Sequence, residues 1–285
     1  MTDRLQRLTP LPERLVSYPR RIHGIDFSGA ADAGKCIWIA SGTIDSGRLH
    51  IDACRRADTL PGSSHERDVC LAALCSLIMA EKACAVGLDF PFSLPKDLIQ
   101  TRSWTGFIRS FPNRYPTPRR FRAACVRAAN DRERKRATDI ECRAPFSPYN
   151  LRLYRQTYHG IRDVLRPLVQ KGQVCVLPMQ RAQSGKPWLL EICPASTLKR
   201  LDLYVPYKGA TSAHRRARRR ILAGLQRENG LSLAPVLRPV LIGEPGGDAL
   251  DSVIAAYAAY RAVLRPGLLS APAVGVYALE GLIYA

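Results

Sequence analysis

Residues 22–28 alternate small or polar positions (Gly24, Asp26, Ser28) with apolar ones (Ile25, Phe27), the period of a β-strand. Two further β-rich runs, 35–44 and 48–54, flank Asp45-Ser46-Gly47, a hairpin turn signal. Ser63-Ser64-His65-Glu66 offers a capped start to a helix running to about residue 82. An apolar strand over 83–90 follows and stops at Pro91. The pattern predicts three strands joined by tight turns, one crossover helix, and a fourth strand parallel to the first. Strand character returns at 173–177 and 188–193, on either side of a polar loop at 180–187. A basic helix over 212–228 is expected to end at Asn229-Gly230, and 236–242 reads as one more short strand. A last helix runs from Asp248 to about Leu264 and ends at Pro266-Gly267. The class is therefore α/β with a mixed sheet, and residues 21–285 read as a single domain behind an irregular leader, 1–20. Within it, 95–170 reads as a basic, mainly helical insert.

Two of the strands carry an acid in an otherwise apolar run, where an unpaired charge is costly to bury. Asp26 ends Gly24-Ile25-Asp26, and Asp89 ends Gly87-Leu88-Asp89. Each lies near the carboxyl end of its strand, where open α/β sheets bind ligands, and the glycine two residues earlier leaves room for close packing. Asp248 and Asp251 stand three apart on the last helix, on one side of it, with Ala255, Ala258 and Ala259 beneath. An alanine face lets that helix approach the sheet and bring its acids to Asp26 and Asp89. Converging carboxylates repel unless a cation joins them, and carboxylate oxygens suit Mg²⁺ or Mn²⁺. A structural alternative makes Asp248 the N-cap, with Asp251 at N3 favoured by the helix dipole.

Charge points to the partner. Lysine and arginine number 43 against 24 acids, a net +19, which predicts an anionic partner, nucleic acid before a membrane surface. Twelve basic and four acidic residues fall between Arg102 and Arg143. There Arg119, Arg120, Arg122 and Arg127 interleave with Trp104, Phe107, Phe111, Tyr115 and Phe121. That mixture suits stacking on unpaired bases, although some of those aromatics must form the insert's own core. On the basic helix, Arg215, Arg216, Arg219 and Arg220 share one face, suited to a phosphate backbone, while Arg218 falls among the apolar positions. Lys208 joins the candidate nucleic-acid contacts. Nine cysteines without a C-x-x-C pair suggest reduced thiols rather than disulfides or a zinc site. The longest apolar stretch, 69–80, is too short to span a bilayer, and no secretory signal is visible. The expected setting is cytoplasmic.

Five motifs in order resemble the family of predicted RNase H-like nucleases known as domain-of-unknown-function family 429. They are Gly24-Ile25-Asp26-Phe27-Ser28-Gly29-Ala30, Gly87-Leu88-Asp89-Phe90-Pro91, Glu191-Ile192-Cys193-Pro194-Ala195, Gly246-Gly247-Asp248-Ala249-Leu250-Asp251 and Glu280-Gly281-Leu282-Ile283-Tyr284. The resemblance implies an RNase H-like fold, with acids on the first strand, fourth strand and last helix, the helical pair being most similar to RuvC-type junction resolvases. It also implies a set of metal-binding acids, and together with the basic charge the expected activity is that of a divalent-metal-dependent (Mg²⁺ or Mn²⁺) phosphodiesterase acting on DNA or RNA. In that reading Asp26 bridges the metals, Asp89 and Asp251 complete the ligation, and Asp248 assists. Glu191, a further acid in an apolar strand, is either a ligand or general base, or the partner of an arginine in the 215–220 helix. His23 and His65 read as structural. A non-catalytic nucleic-acid-binding protein on the same fold is the alternative. A phosphotransferase of the actin-like superfamily is disfavoured, because no phosphate loop beyond Ser28-Gly29-Ala30 and no second repeat are visible.

Overall fold

The computed structural model describes residues 18–227, 230–269 and 274–285. Most of the leader therefore lies outside the described residues, as does the expected helix stop at Asn229. Seven strands form one mixed sheet: β1 (Arg21–Asp26), β2 (Trp38–Asp45), β3 (Arg48–Arg56), β4 (Cys84–Leu88), β5 (Cys175–Leu177), β6 (Trp188–Glu191) and β7 (Leu231–Leu233). Their order across the sheet is β5-β6-β4-β1-β2-β3-β7. β2 runs antiparallel to β1 and β3, whereas β1–β4, β4–β6, β5–β6 and β3–β7 are parallel. The β2–β3 turn places Ser46 and Gly47 at φ 49° and 75°, the left-handed pair that a two-residue hairpin requires.

The structure corrects several local expectations. A short helix, Ala33–Cys36, stands between β1 and β2 in place of the expected tight turn. Helix α1 (Arg67–Ala80) starts later than the Ser63-Ser64 signal, because Ser64 Oγ accepts from Glu66 N at 3.1 Å and so closes a turn ahead of the helix. The expected strand at 236–242 is helical, Arg238–Gly243, while β7 lies just before it. Pro239 removes a ladder donor there and is at home in a first helical turn.

The 95–170 segment is built from short helices, among them α2 (Trp104–Arg114) and α3 (Pro118–Ala128), with no strand among the described residues. Its aromatics do not wait for bases. Trp104, Phe107, Phe111, Tyr115 and Phe121 are all buried. The Phe111 ring lies 5.0–5.6 Å from those of Phe107, Tyr115, Phe121 and Tyr158. This cluster is continuous with Ile25, Val86, Leu88 and Leu189 of the sheet and with α1. The insert is thus one outer layer of a three-layer domain, not an appendage with a core of its own.

The opposite sheet face carries α4 (Ser212–Arg227) and α5 (Asp248–Val263). α5 lies on β1 and β4 backbone to backbone. A Cβ at Gly24 would sit 2.1 Å from Ser252 O and Ala256 N, and one at Gly87 would sit 2.6 Å from Ala255 O. Those two glycines, each two residues before an acid, set how near the helix comes, and hence where its own acids fall.

Candidate metal centre

The first turn of α5 ends over the carboxyl end of β1. There the carboxylates of Asp26, Asp248 and Asp251 each offer an oxygen, and these oxygens lie within 4.8 Å of one another. Asp26 and Asp251 are buried, and Asp248 is partly open. Two unit charges at that spacing repel by roughly 3 kcal/mol at an effective dielectric near 20. Among the described residues no hydrogen bond or ion pair reaches the Asp26 carboxyl. Burial, and after it Asp251, Asp89 and Asp248, push its pKa well above the usual carboxylate value. Asp89 follows β4 directly and is pushed up to about 8, chiefly by burial and then by Asp251. Three hard oxygen donors, one of them an unpartnered buried carboxyl, could hold a metal cation. The tight set is Asp26, Asp248 and Asp251; Asp89, expected as a ligand, lies beside it, near enough to raise the Asp26 pKa.

The capping alternative for Asp248 does not hold. The N-cap is Gly247, and Glu244 satisfies the free amides, accepting from Gly246 N at 2.6 Å and Asp248 N at 2.7 Å. Asp248 is left to face the cluster.

Three residues beside the acids carry no clear signal of that role in the sequence. Tyr207 donates its hydroxyl to Asp251 Oδ1 at 2.5 Å. Lys208, expected on a nucleic-acid surface, places Nζ 2.6 Å from Asp251 Oδ2 and 3.3 Å from Asp248 Oδ1. Burial works against the Lys208 charge, but Asp251 and Asp26 outweigh it and drive its pKa upward. Burial raises the Asp251 pKa, while Lys208 and Tyr207 oppose the rise. Arg218 is fully buried and holds this loop, donating to Tyr207 O at 2.5 Å, Gly209 O at 3.0 Å and Ile242 O at 2.8 Å. Its position among apolar residues is the one sequence signal that it faces inward.

Glu191 belongs to a different network. On β6, Leu190 faces α5 and Leu189 faces the insert, so alternation turns Glu191 toward the insert. Its partner is Arg136 of that insert, not an arginine of α4. Arg136 Nη1 lies 2.8 Å from Glu191 Oε2, Nη2 also meets Glu191 Oε1, and Asp139 takes the rest of the guanidinium. Phe92 N donates to Glu191 Oε2 at 2.9 Å. Glu280, from the last motif, accepts from Lys96 N and Ala137 N at 2.7 Å each.

A cavity of about 460 Å³ opens beside the acids, lined by Asp89, Asp251, Lys208 and Glu191 and by apolar groups such as Phe90, Phe146 and Tyr204. Arg215, Arg216, Arg219 and Arg220 are exposed along one face of α4, and Arg119 and Arg120 are exposed on α3. All nine cysteines are free. Among the described residues no helix is long and apolar enough to cross a membrane.

The model of a family described as proteins of unknown function (DUF429) matches residues 24–274, from Gly24 of β1 past the end of α5. The chain belongs to that family. No curated protein and no solved structure matches it.

Proposed function

We propose that the protein is a divalent-metal-dependent phosphodiesterase acting on DNA or RNA, on an RNase H-like fold. The observation that carries this reading is the meeting of Asp248 and Asp251 with the buried Asp26 carboxyl, which has no partner of its own. Support for the fold comes from the acid placement: end of the first strand, just after the fourth, and first turn of the long late helix. A bound Mg²⁺ or Mn²⁺ would supply Lewis-acid stabilisation of phosphodiester oxygens. The chain's own contribution is positional. Gly24 and Gly87 let α5 deliver Asp248 and Asp251 to Asp26, Tyr207 orients Asp251, and Arg218 fixes the loop that carries Tyr207 and Lys208. The adjoining cavity is within the usual size of a small-molecule site and mostly apolar, suited to one unpaired nucleotide. The arginines of α4 supply phosphate contacts.

One observation favours a second reading, a nucleic-acid-binding protein without catalysis: Lys208 already places a cation against Asp251. Purified protein tested against branched, duplex and single-stranded DNA and RNA, with and without Mg²⁺ or Mn²⁺, separates the two. Metal-dependent cleavage that disappears in Asp251→Asn is the expected result. Binding across the panel with no cleavage under any metal condition would favour the second reading and overturn the first.

A further inference from the structure

A second cavity, about 360 Å³, lies between the helix Pro194–Arg200, the far half of α5 and the C-terminal segment. Ile283 lines both this cavity and the one beside the acids. Its character is opposite. Arg143, Arg200, Arg261 and Arg265 surround it, and among the described residues none of the four makes an ion pair with an acidic side chain. Arg200 Nη1 donates to Ala285 O at 3.2 Å. One side-chain carboxylate lines the cavity, that of Glu141, which is engaged by the Tyr277 hydroxyl. Two buried donors at its wall lack any hydrogen-bond partner: Arg261 Nη1 and the hydroxyl of Tyr284, a side chain only 4% exposed. The Ser196 hydroxyl, which also lines this cavity, likewise has no hydrogen-bond partner.

Buried polar groups are almost always satisfied by protein, water or a ligand, and unpaired groups at the wall of one arginine-lined cavity mark where a ligand's acceptors can be met. Four guanidinium groups, one of them with an unpaired nitrogen, are donors only, and the phenol can donate as well; together they ask for an acceptor-rich anion. Guanidinium forks match the paired oxygens of carboxylate and phosphate alike, and four of them around one cavity suit the greater charge and larger number of oxygens of a phosphate. We propose that this cavity is a phosphate-binding site, distinct from the acid cluster. Asp251 and Arg261 lie ten residues apart on α5, about 15 Å at the rise of an α-helix, so the phosphate is not the one facing the acids. The proposal stands whether or not the acids hold a metal.

The test uses the full chain and inorganic phosphate. Melting temperature is followed against phosphate concentration, with chloride at matched ionic strength as reference, and apparent affinity is taken from the mass-action rise. Wild type should gain with phosphate beyond chloride. Arg261→Gln should bind about tenfold more weakly or worse, the scale of a lost charged hydrogen bond. Tyr284→Phe keeps the ring and its packing, and should also weaken the phosphate response. Arg48→Gln combined with Arg55→Gln, both exposed on β3, should respond as wild type does. The proposal is overturned if phosphate does no more than chloride, if Arg261→Gln and Tyr284→Phe both respond as wild type, or if only the β3 variant loses the response. The source of the group is read from the same protein. Competition between inorganic phosphate and a single-stranded oligonucleotide assigns it to a nucleic-acid strand, and additive stabilisation assigns it to free phosphate.

Discussion

Lys208 Nζ stands 2.6 Å from Asp251 Oδ2, so the most buried acid of the cluster on α5 is neutralised by a side chain that is itself half exposed. An ammonium in that place is a removable counter-charge. It lowers the repulsion among Asp26, Asp248 and Asp251, and in the proposed metal site it would compete with the cation for the same oxygens.

Lys208→Met removes the competitor. In chelator the variant should lose about 1–2 kcal/mol of stability, less than for a fully buried pair because the lysine is half exposed. Mg²⁺ or Mn²⁺ should then raise its melting temperature more than that of wild type. An equal or smaller gain would show that Lys208 and the cation do not share a site.

Glu191→Gln tests whether that acid is structural. Arg136 is fully buried and would keep only Asp139 as a charged partner, so a loss of about 3–5 kcal/mol is expected. The gain in melting temperature from divalent cation should be unchanged. A mildly destabilised variant that no longer responds to Mg²⁺ would return Glu191 to the metal site.

The α4 face should govern salt dependence. Replacing Arg215, Arg216, Arg219 and Arg220 by serine should flatten the fall of log affinity for nucleic acid with log salt. The slope should shrink by ~0.7–0.9 for each phosphate that the face no longer neutralises. The fold should survive, since all four side chains are exposed. An unaltered slope would mean that these arginines face something other than phosphate.

His23 gives the protein an acid-sensitive core. Its ring is buried, with Nδ1 2.8 Å from Ser41 Oγ, and burial followed by Arg21 lowers its pKa to about 4. The unfolded chain therefore binds a proton that the folded one refuses between roughly pH 6.5 and 4. Stability should be full above that window and fall as pH drops through it, by roughly 3 kcal/mol at most for this group. Denaturant midpoints across the range should show a shallower fall in His23→Gln. The same fall in both proteins would place the sensitivity elsewhere.

Much of this site is legible in the sequence because its determinants are local. Gly24 and Asp26, or Gly87 and Asp89, are two residues apart and so share a face by alternation alone. Asp45-Ser46-Gly47 sets its turn through its own backbone. What is not legible depends on distant pairing. Glu191 meets Arg136, 55 residues earlier, and only the sheet register reveals that Glu191 points away from α5. Tyr207 and Lys208 reach Asp251 through a loop with no periodicity, held by Arg218. The aromatics of the insert look available for bases because sequence gives no sign that α2 and α3 pack on residues 154–170 and so into the domain core. The strand expected at 236–242 overlooks a visible signal, Pro239.

The unpartnered carboxyl of Asp26 is the point on which the account turns, and one measurement addresses it without a substrate: the melting temperature of wild type and Asp26→Asn, each in chelator and in Mg²⁺ or Mn²⁺. Removing one of three crowded charges should raise the melting temperature in chelator, reflecting relief of a few kcal/mol of repulsion at most, while wild type should gain more than the variant from added cation. A large loss of stability in chelator, with no metal-dependent difference between the two proteins, would contradict the metal centre and the nuclease reading built on it.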